Sequence, residues 1–275
     1  MTKFDIELVG KVGSMALINK LHDDIDYNII ARISRYLKPG YIWVTSGAAE
    51  IGRLDYMKRT STELTGEEGA NKTDYSAQGQ SILMQNYRQF MDPQYSLRQF
   101  LVEHHHFNDG EKCLYLKKAL LRCPLQGAIP IVNYNDPVND EEIRKFEIQS
   151  LKSSHNKVVE CIDNDETASQ IACLVKPKYL LILTGVNGIF TDINKKNTLV
   201  EEISGSSTDE VIANIEYYQN FCDGKSRKGS NGARAKLEYI KDPIRQGTTA
   251  IIANSKYRII DILSGQSPRT IIHVR

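Results

Sequence analysis

Residues 179–192 read Y-L-L-I-L-T-G-V-N-G-I-F-T-D. The run Tyr179–Leu183 is apolar at every position, so it lacks the alternation of a half-exposed strand and is too short for a helix. It predicts a strand buried on both faces, closed by a turn rich in glycine and asparagine. Two more stretches share the pattern. Residues 41–45 (YIWVT) run into Ser46-Gly47-Ala48-Ala49, and 128–132 (AIPIV) run into Asn133-Tyr134-Asn135-Asp136-Pro137.

Between these runs the spacing predicts helices over Tyr27–Leu37, Thr73–Met91, Glu111–Leu121, Thr167–Val175, Thr208–Phe221 and Ala233–Gln246. Further strands are expected at Phe4–Val9, Ser96–Val102, Thr249–Ala253 and Arg269–Val274. Phe146–Leu151 and Lys157–Ile162 alternate like the arms of a hairpin around Ser153–Asn156. Repeated strand–helix–strand order predicts an α/β fold, a three-layer αβα sandwich with a mainly parallel central sheet. In such folds ligands bind beyond the carboxyl ends of the strands.

The composition sets bounds and names no activity. The 275 residues carry 35 Lys and Arg against 34 Asp and Glu, a formal net charge of +1. That balance argues against a partner held by bulk charge, nucleic acid included. No apolar run approaches the roughly 20 residues of a membrane-spanning helix, and MTKFDIELVG has no secretory h-region. The five cysteines are odd in number and none forms C-x-x-C. A disulfide framework or cysteine zinc site is not expected, and a reducing cytoplasm is.

The polar residues at the strand ends carry the chemistry. Lys11 lies between Gly10 and Gly13, two glycines expected to let the backbone turn tightly at the end of the first strand and approach a ligand. Ser46 and Gly47 open a small-residue segment whose amides can face an anion. Asn133 and Asp136 follow the third apolar run. Asp163-Asn164-Asp165-Glu166 precedes a helix and holds more polar groups than a cap requires. Thr184 and Gly185 end YLLILT. Gly229-Ser230-Asn231-Gly232-Ala233-Arg234-Ala235-Lys236 enters a helix without the spacing of a Walker A loop, yet offers amides and a cation to phosphates. Lysines, an aspartate and small-residue loops at one edge of a sheet suit phosphoryl transfer, which asks mainly for positioning and charge neutralisation.

On KVGS (11–14), VTSGA (44–48), QGQ (78–80), IPIVNYNDPV (129–138), DND (163–165), LLILTGVNGIFTD (180–192) and NGARAKLE (231–238), the chain resembles the amino acid kinase family, and within it the glutamate 5-kinase branch. The resemblance implies a single kinase domain over 1–275. Its acceptor lobe would span about 1–165 and its nucleotide lobe about 166–275, without the C-terminal PUA-type domain of many members. It also implies transfer of the γ-phosphate of ATP, with Mg²⁺, to the side-chain carboxylate of L-glutamate, the first step of proline synthesis. Lys11, Asp165 and Lys236 match catalytic positions. Ser46, Gly47, Asn133, Asp136 and Asn164 match the glutamate site. Lys11, Gly13, Thr184, Gly185 and Ser230–Lys236 (Ser230, Asn231, Gly232, Ala233, Arg234, Ala235, Lys236) match the nucleotide site. No dedicated metal site is spelled by the sequence. Relatives commonly form dimers or tetramers, so a cytoplasmic homo-oligomer is expected.

The chain departs from the family pattern in three places. Thr184-Gly185 stands where relatives carry Thr-Asp. Asn231–Lys236 stands where they carry G-G-M-x-T-K, with Arg234 expected to be an exposed helix residue. The segment from Asp136 to Asp165 is longer than usual. These departures keep open a kinase with another small acceptor and a catalytically idle nucleotide-binding relative. His104-His105-His106, on an extended chain, would point to opposite faces and reads as loop or interface rather than metal site. The run Lys225-Ser226-Arg227-Lys228 reads as a solvated loop.

Overall fold

The computed structural model describes residues 5–138, 141–154, 157–222 and 232–275. Eight strands form its main sheet: β1 (Leu8–Val12), β2 (Tyr41–Val44), β3 (Ser96–Val102), β4 (Ala128–Tyr134), β5 (Tyr179–Thr184), β6 (Glu202–Gly205), β7 (Thr249–Asn254) and β8 (Arg269–Val274). Their spatial order is β6-β8-β7-β5-β1-β2-β4-β3. From β3 through β7 every pairing is parallel; β8 runs antiparallel to β7 and parallel to β6. The mainly parallel sheet expected from the doubly buried runs is found, and β2, β4 and β5 are buried along nearly their whole length.

The helices are α1 (Tyr27–Ser34), α2 (Ala48–Thr60), α3 (Glu68–Phe90), α4 (Gly110–Arg122), α5 (Glu141–Ser154), α6 (Asn164–Val175), α7 (Thr208–Gln219) and α8 (Gly232–Tyr239), with shorter turns between them. Two apolar clusters fill the space between the layers. Val9, Ile42, Val44 and Ile182 pack with Ala168, Ile171 and Ala172 of α6, Val211 and Ile215 of α7, and Leu237 of α8. Leu8, Trp43, Ile131 and Leu183 pack with Ile30 of α1, Ile51 of α2, and Leu83 and Tyr87 of α3. Successive residues of one strand thus feed opposite clusters, as the pleat requires. Among the described residues no helix is long and apolar enough to cross a membrane.

Several expectations need correction. The hairpin expected over 146–162 is absent: α5 covers Glu141–Ser154, and 157–162 is not a strand. Phe146, Ile148 and the residues between them alternate like a strand, but Arg144, Ile148 and Leu151 recur at helical spacing. Ile148 is buried and Phe146 lies in solvent, so the helical period wins. The helix expected over Ala233–Gln246 is interrupted at Ile240, between α8 and the turn Lys241–Arg245. Pro243 has no N–H to give the Tyr239 carbonyl four residues back, and the Ser169 hydroxyl donates to that carbonyl instead.

The first strand is Leu8–Val12 rather than Phe4–Val9, so Gly10 and Lys11 lie within it. Gly10 is therefore no turn glycine. A Cβ there would sit 2.0 Å from the Trp43 ring, which packs against that backbone. The ring in turn joins a buried hydrogen-bond chain. Trp43 Nε1 donates to Tyr87 Oη at 3.2 Å, and Tyr87 Oη lies 2.9 Å from Thr45 Oγ1, at the end of β2.

Candidate active site

Lys11 on β1 and Lys236 on α8 meet at one carboxylate in the first turn of α6. Lys11 Nζ is 2.6 Å from Asp165 Oδ1, and Lys236 Nζ is 2.8 Å from Asp165 Oδ2. Asp165 is 4 % exposed and Lys11 7 %. Burial pushes the Asp165 carboxyl upward, but the two ammonium groups outweigh it and hold it below the usual carboxylate range. It is ionised at neutral pH, and the trio keeps one net positive charge. Gly13 lies beside the first lysine, where a Cβ would sit 3.6 Å from Lys11 Nζ, an ordinary van der Waals contact that does not itself require glycine.

The four polar residues at the start of α6 each have a different partner. Asp163 caps the helix, accepting from the Asp165 and Glu166 amides at 2.8 and 3.0 Å. Burial, then the neighbouring Asp165, raise its pKa. Asn164 Nδ2 donates to Asn133 Oδ1 at 3.1 Å, and Asp165 holds the lysines. Glu166 accepts from the Glu160 and Ile162 amides at 3.1 and 2.9 Å, fastening the approach to the helix. Glu166 was invisible as a separate anchor in the sequence, where it reads as a helix-dipole residue.

The residues expected to hold the acceptor gather at the ends of β2 and β4 and at the start of α6. Ser46 Oγ donates to the Val12 carbonyl at 3.0 Å. Gly47 precedes α2 with φ +97°, a conformation that favours glycine. Asn133 is 1 % exposed, and its Nδ2 donates to Gln80 Oε1 of α3 at 2.7 Å. Asp136 lies 4.0 Å from Lys72 Nζ, also of α3. Burial raises the Asp136 carboxyl above its ordinary value, with Lys72 and Arg144 opposing the rise. Sequence reading gave Gln80 no role of its own. Its signal was a polar residue on the stripe Ser76-Gly79-Gln80-Leu83-Tyr87, which is buried along one face of α3.

The long segment after Asp136 puts α5 beside this end of the site. Arg144 stacks over the Tyr134 ring, 5.6 Å from its centroid, and donates to the Cys161 carbonyl at 3.3 Å. Glu147 Oε2 is 3.2 Å from His104 Nε2. The three histidines are not on extended chain, because a helical turn begins at His105. Nor do they point to opposite faces: the His105 and His106 ring centroids lie 4.1 Å apart and those of His104 and His105 5.9 Å apart, with His105 Nδ1 3.4 Å from Glu103 Oε2 and His106 Nδ1 accepting from the Glu103 amide. Burial lowers the pKa of all three. Among the described residues no group of three or more His, Cys, Asp or Glu side chains is arranged to hold a metal ion.

The expected nucleotide residues are brought together only in part. Thr184 closes a tight turn, donating to the Val186 carbonyl at 2.8 Å and accepting from its amide at 3.0 Å. Asn254 Nδ2 of β7 donates to the Gly185 carbonyl at 2.9 Å. Gly232 is buried with φ +67°, and Ala233 and Arg234 are exposed on α8 with Ala235 half-buried, ahead of Lys236. Arg234 is the exposed helix residue expected. Ser230, Asn231 and the run Lys225–Lys228 lie outside the described residues.

The chain matches the family model described as "Amino acid kinase family" over residues 7–254. It is 26 % identical over 262 residues to a glutamate 5-kinase of Thermoanaerobacter sp., covering 91 % of this chain and 63 % of that protein. It is 28 % identical over 279 residues to a glutamate 5-kinase of Geobacillus thermodenitrificans, covering 97 % of this chain and 67 % of the relative. The chain thus spans just under or about two thirds of the length of these relatives. Solved structures share the fold. An isopentenyl phosphate kinase substrate complex matches with a TM-score of 0.58 and 14 % identity, over 98 % of this chain and 100 % of that one. A carbamate kinase from Giardia lamblia bound to AMP-PNP matches with a TM-score of 0.59 and 16 % identity, over 98 % and 99 %.

Proposed function

Taking as premise that this chain belongs to the amino acid kinase family, we propose that it transfers the γ-phosphoryl group of ATP to the side-chain carboxylate of L-glutamate. The products are L-glutamyl 5-phosphate, the first intermediate of proline synthesis, and ADP. A carboxylate oxygen of the acceptor forms the new bond to Pγ, the bond from Pγ to the β–γ bridging oxygen breaks, and the electron pair leaves with ADP. No proton is abstracted, because an ordinary glutamate side chain, with a pKa near 4.3, is already ionised at neutral pH.

The observation that carries this reading is the shared carboxylate of Asp165. The barrier to the reaction is the approach of two anions, and preorganised cations lower it. In this reading Lys11 neutralises the phosphoryl group in flight and Lys236 binds the ATP phosphates. Asp165 fixes the spacing of the two ammonium groups, so that little reorganisation remains during the reaction. Gly13, Thr184, Gly185 and the segment Ser230–Lys236 would border the nucleotide. Ser46, Gly47, Asn133, Asp136 and Asn164 would hold the acceptor.

Mg²⁺ belongs to the proposal as the companion of ATP, neutralising charge on the phosphates. The described residues do not form a protein-held site for it. Asp163 is bound to the α6 amides and Asp165 to the lysines, so on the protein side charge neutralisation falls to Lys11 and Lys236.

The test is ADP release by the purified chain with ATP, Mg²⁺ and a panel of acceptors. L-glutamate, a carbamate and a small phosphate monoester would form the core of the panel. Release dependent on L-glutamate supports the reading, and release with another acceptor alone removes the glutamate assignment. The second reading, a kinase with a different acceptor, is favoured by α5, fastened by Arg144 and Glu147 beside the acceptor-side residues. The glutamate reading brings with it a cytoplasmic homo-oligomer, and light scattering checks the oligomeric state.

A further inference from the structure

α5 belongs to the long segment between Asp136 and Asp165, and its Arg144 touches both stretches of chain that carry residues expected to hold the acceptor. The guanidinium lies over the ring of Tyr134, which directly follows Asn133 and stands two residues before Asp136. Its Nη1 donates to the carbonyl of Cys161, three residues before Asn164. A ring face and a carbonyl orient the group, but neither carries a full negative charge. The side chain is half-buried.

Among the described residues Arg144 has no carboxylate partner, and acids of the surrounding elements are engaged elsewhere. Glu147, one turn on along α5, faces His104 at 3.2 Å. Glu160 pairs with Lys152 at 2.5 Å. Glu166 accepts from the Glu160 and Ile162 amides, and Asp163 from those of Asp165 and Glu166. Glu103 accepts from Asn135 Nδ2 at 2.6 Å and faces His105. Asp136 has Lys72 at 4.0 Å, and the charge of Arg144 also reaches it. A half-buried cation without a counter-charge is unfavourable unless a ligand supplies one. The planar fork of a guanidinium matches a carboxylate. Asp136 and Arg144 thus give the acceptor side one negative and one positive group, the complement of the two charges on the α-carbon of an amino acid.

We infer that Arg144 is a specificity-determining residue of the acceptor site: its guanidinium binds the carboxylate that an amino-acid acceptor carries besides the one that is phosphorylated. The inference rests on the L-glutamate reading above and deepens it. L-glutamate has that second carboxylate on its α-carbon. 4-Aminobutyrate has the same chain, amino group and reacting carboxylate, and lacks only the second one. Arg144 is the group that tells the two apart.

The experiment measures ADP release by the full chain with Mg²⁺, giving kcat and KM for L-glutamate, for 4-aminobutyrate and for ATP. The unmodified protein is expected to prefer L-glutamate over 4-aminobutyrate by at least about 100-fold in kcat/KM. Arg144→Leu should raise the KM for L-glutamate about 30-fold, the scale of a charge-assisted hydrogen bond. Its kcat/KM for 4-aminobutyrate and its KM for ATP should stay within about twofold, which also reports that the variant is folded. The preference then shrinks by the factor lost with L-glutamate. A residue that only anchors α5 would not move this ratio, because its loss harms both acceptors alike. The inference is overturned by an unchanged KM for L-glutamate in Arg144→Leu, by a parallel loss with 4-aminobutyrate, or by a matching rise in the KM for ATP. Equal use of both acceptors by the unmodified protein overturns it while leaving the kinase reading intact. Turnover of a carbamate or a phosphate monoester alone overturns it together with the glutamate assignment. Turnover of no acceptor overturns the kinase reading as well.

Discussion

Asn164 and Asp165 are neighbours on the first turn of α6, yet they serve two differently built regions. Asp165 is shared by Lys11 and Lys236 at 2.6 and 2.8 Å, a cluster of full charges. Asn164 ends a chain of neutral amides that passes through Asn133 to Gln80. The charged cluster tolerates small displacements, because Coulomb attraction falls off slowly with distance. The amide chain depends on direction and loses its meaning if one member turns around. One helix start thus joins a cluster of full charges to a directional chain of neutral amides.

The largest effect should come from the charged side. Lys11→Ala is expected to lower kcat by about 10³-fold, as with other cationic clamps on a transferring phosphoryl group. A near-normal rate of ADP release would remove Lys11 from the mechanism and dissolve the contrast. Asp165→Asn should lower kcat by about 10²-fold. It should also cost about 3 kcal/mol in urea unfolding, because two buried or half-buried ammonium groups lose their counter-charge. An unfolding midpoint equal to the parent's would mean that the lysines have other partners.

Acid should separate the two regions. The Asp165 pKa is lowered in the folded protein, so its contribution to stability is full above the unfolded-state value. It is lost only as pH falls through the lowered native value. Asp136 is raised by burial and therefore protonates first as pH falls. The acceptor's own side chain also protonates near 4.3, so Asp136→Asn is the control: the parent's kcat/KM for the acceptor should decline from a higher pH than the variant's, while unfolding sets in at lower pH. Coincident losses would count against Asp136 as an acceptor ligand. The smallest effect is expected for Lys72→Ala. Its ammonium is 4.0 Å from Asp136 with the side chain 61 % exposed, so the acceptor KM should rise by no more than about threefold. A larger rise would make Lys72 a direct contact.

Much of the fold was legible where one physical demand dominates. Five apolar residues in a row at Tyr179–Leu183 admit little besides a doubly covered strand, and β5 lies at that place. Lys11, Asp165 and Lys236 were legible as charges beside strand and helix ends, where a sheet of this kind binds ligands. Residues 146–151 were misread because Phe146 and Ile148 alternate with polar neighbours. What settles α5 is the burial of Ile148 and the bond from Arg144 to the Cys161 carbonyl, neither of which is visible in a local window. Gly10 was misassigned for a related reason. Its role is to admit the Trp43 ring from the neighbouring strand, and nothing within 8–14 says so.

The sequence by itself determined the parallel sheet, the layered order of strands and helices, and which polar residues stand at the strand ends. Hydrophobic periodicity is a local property, and burial of apolar surface enforces it wherever it occurs. Only the tertiary structure decided that one aspartate serves two lysines from distant parts of the chain, and that a main-chain amide at Tyr134 sets the direction of the amides from Gln80 to Asn164. Those outcomes depend on distance and hydrogen-bond polarity between elements, which exist only once the layers have packed.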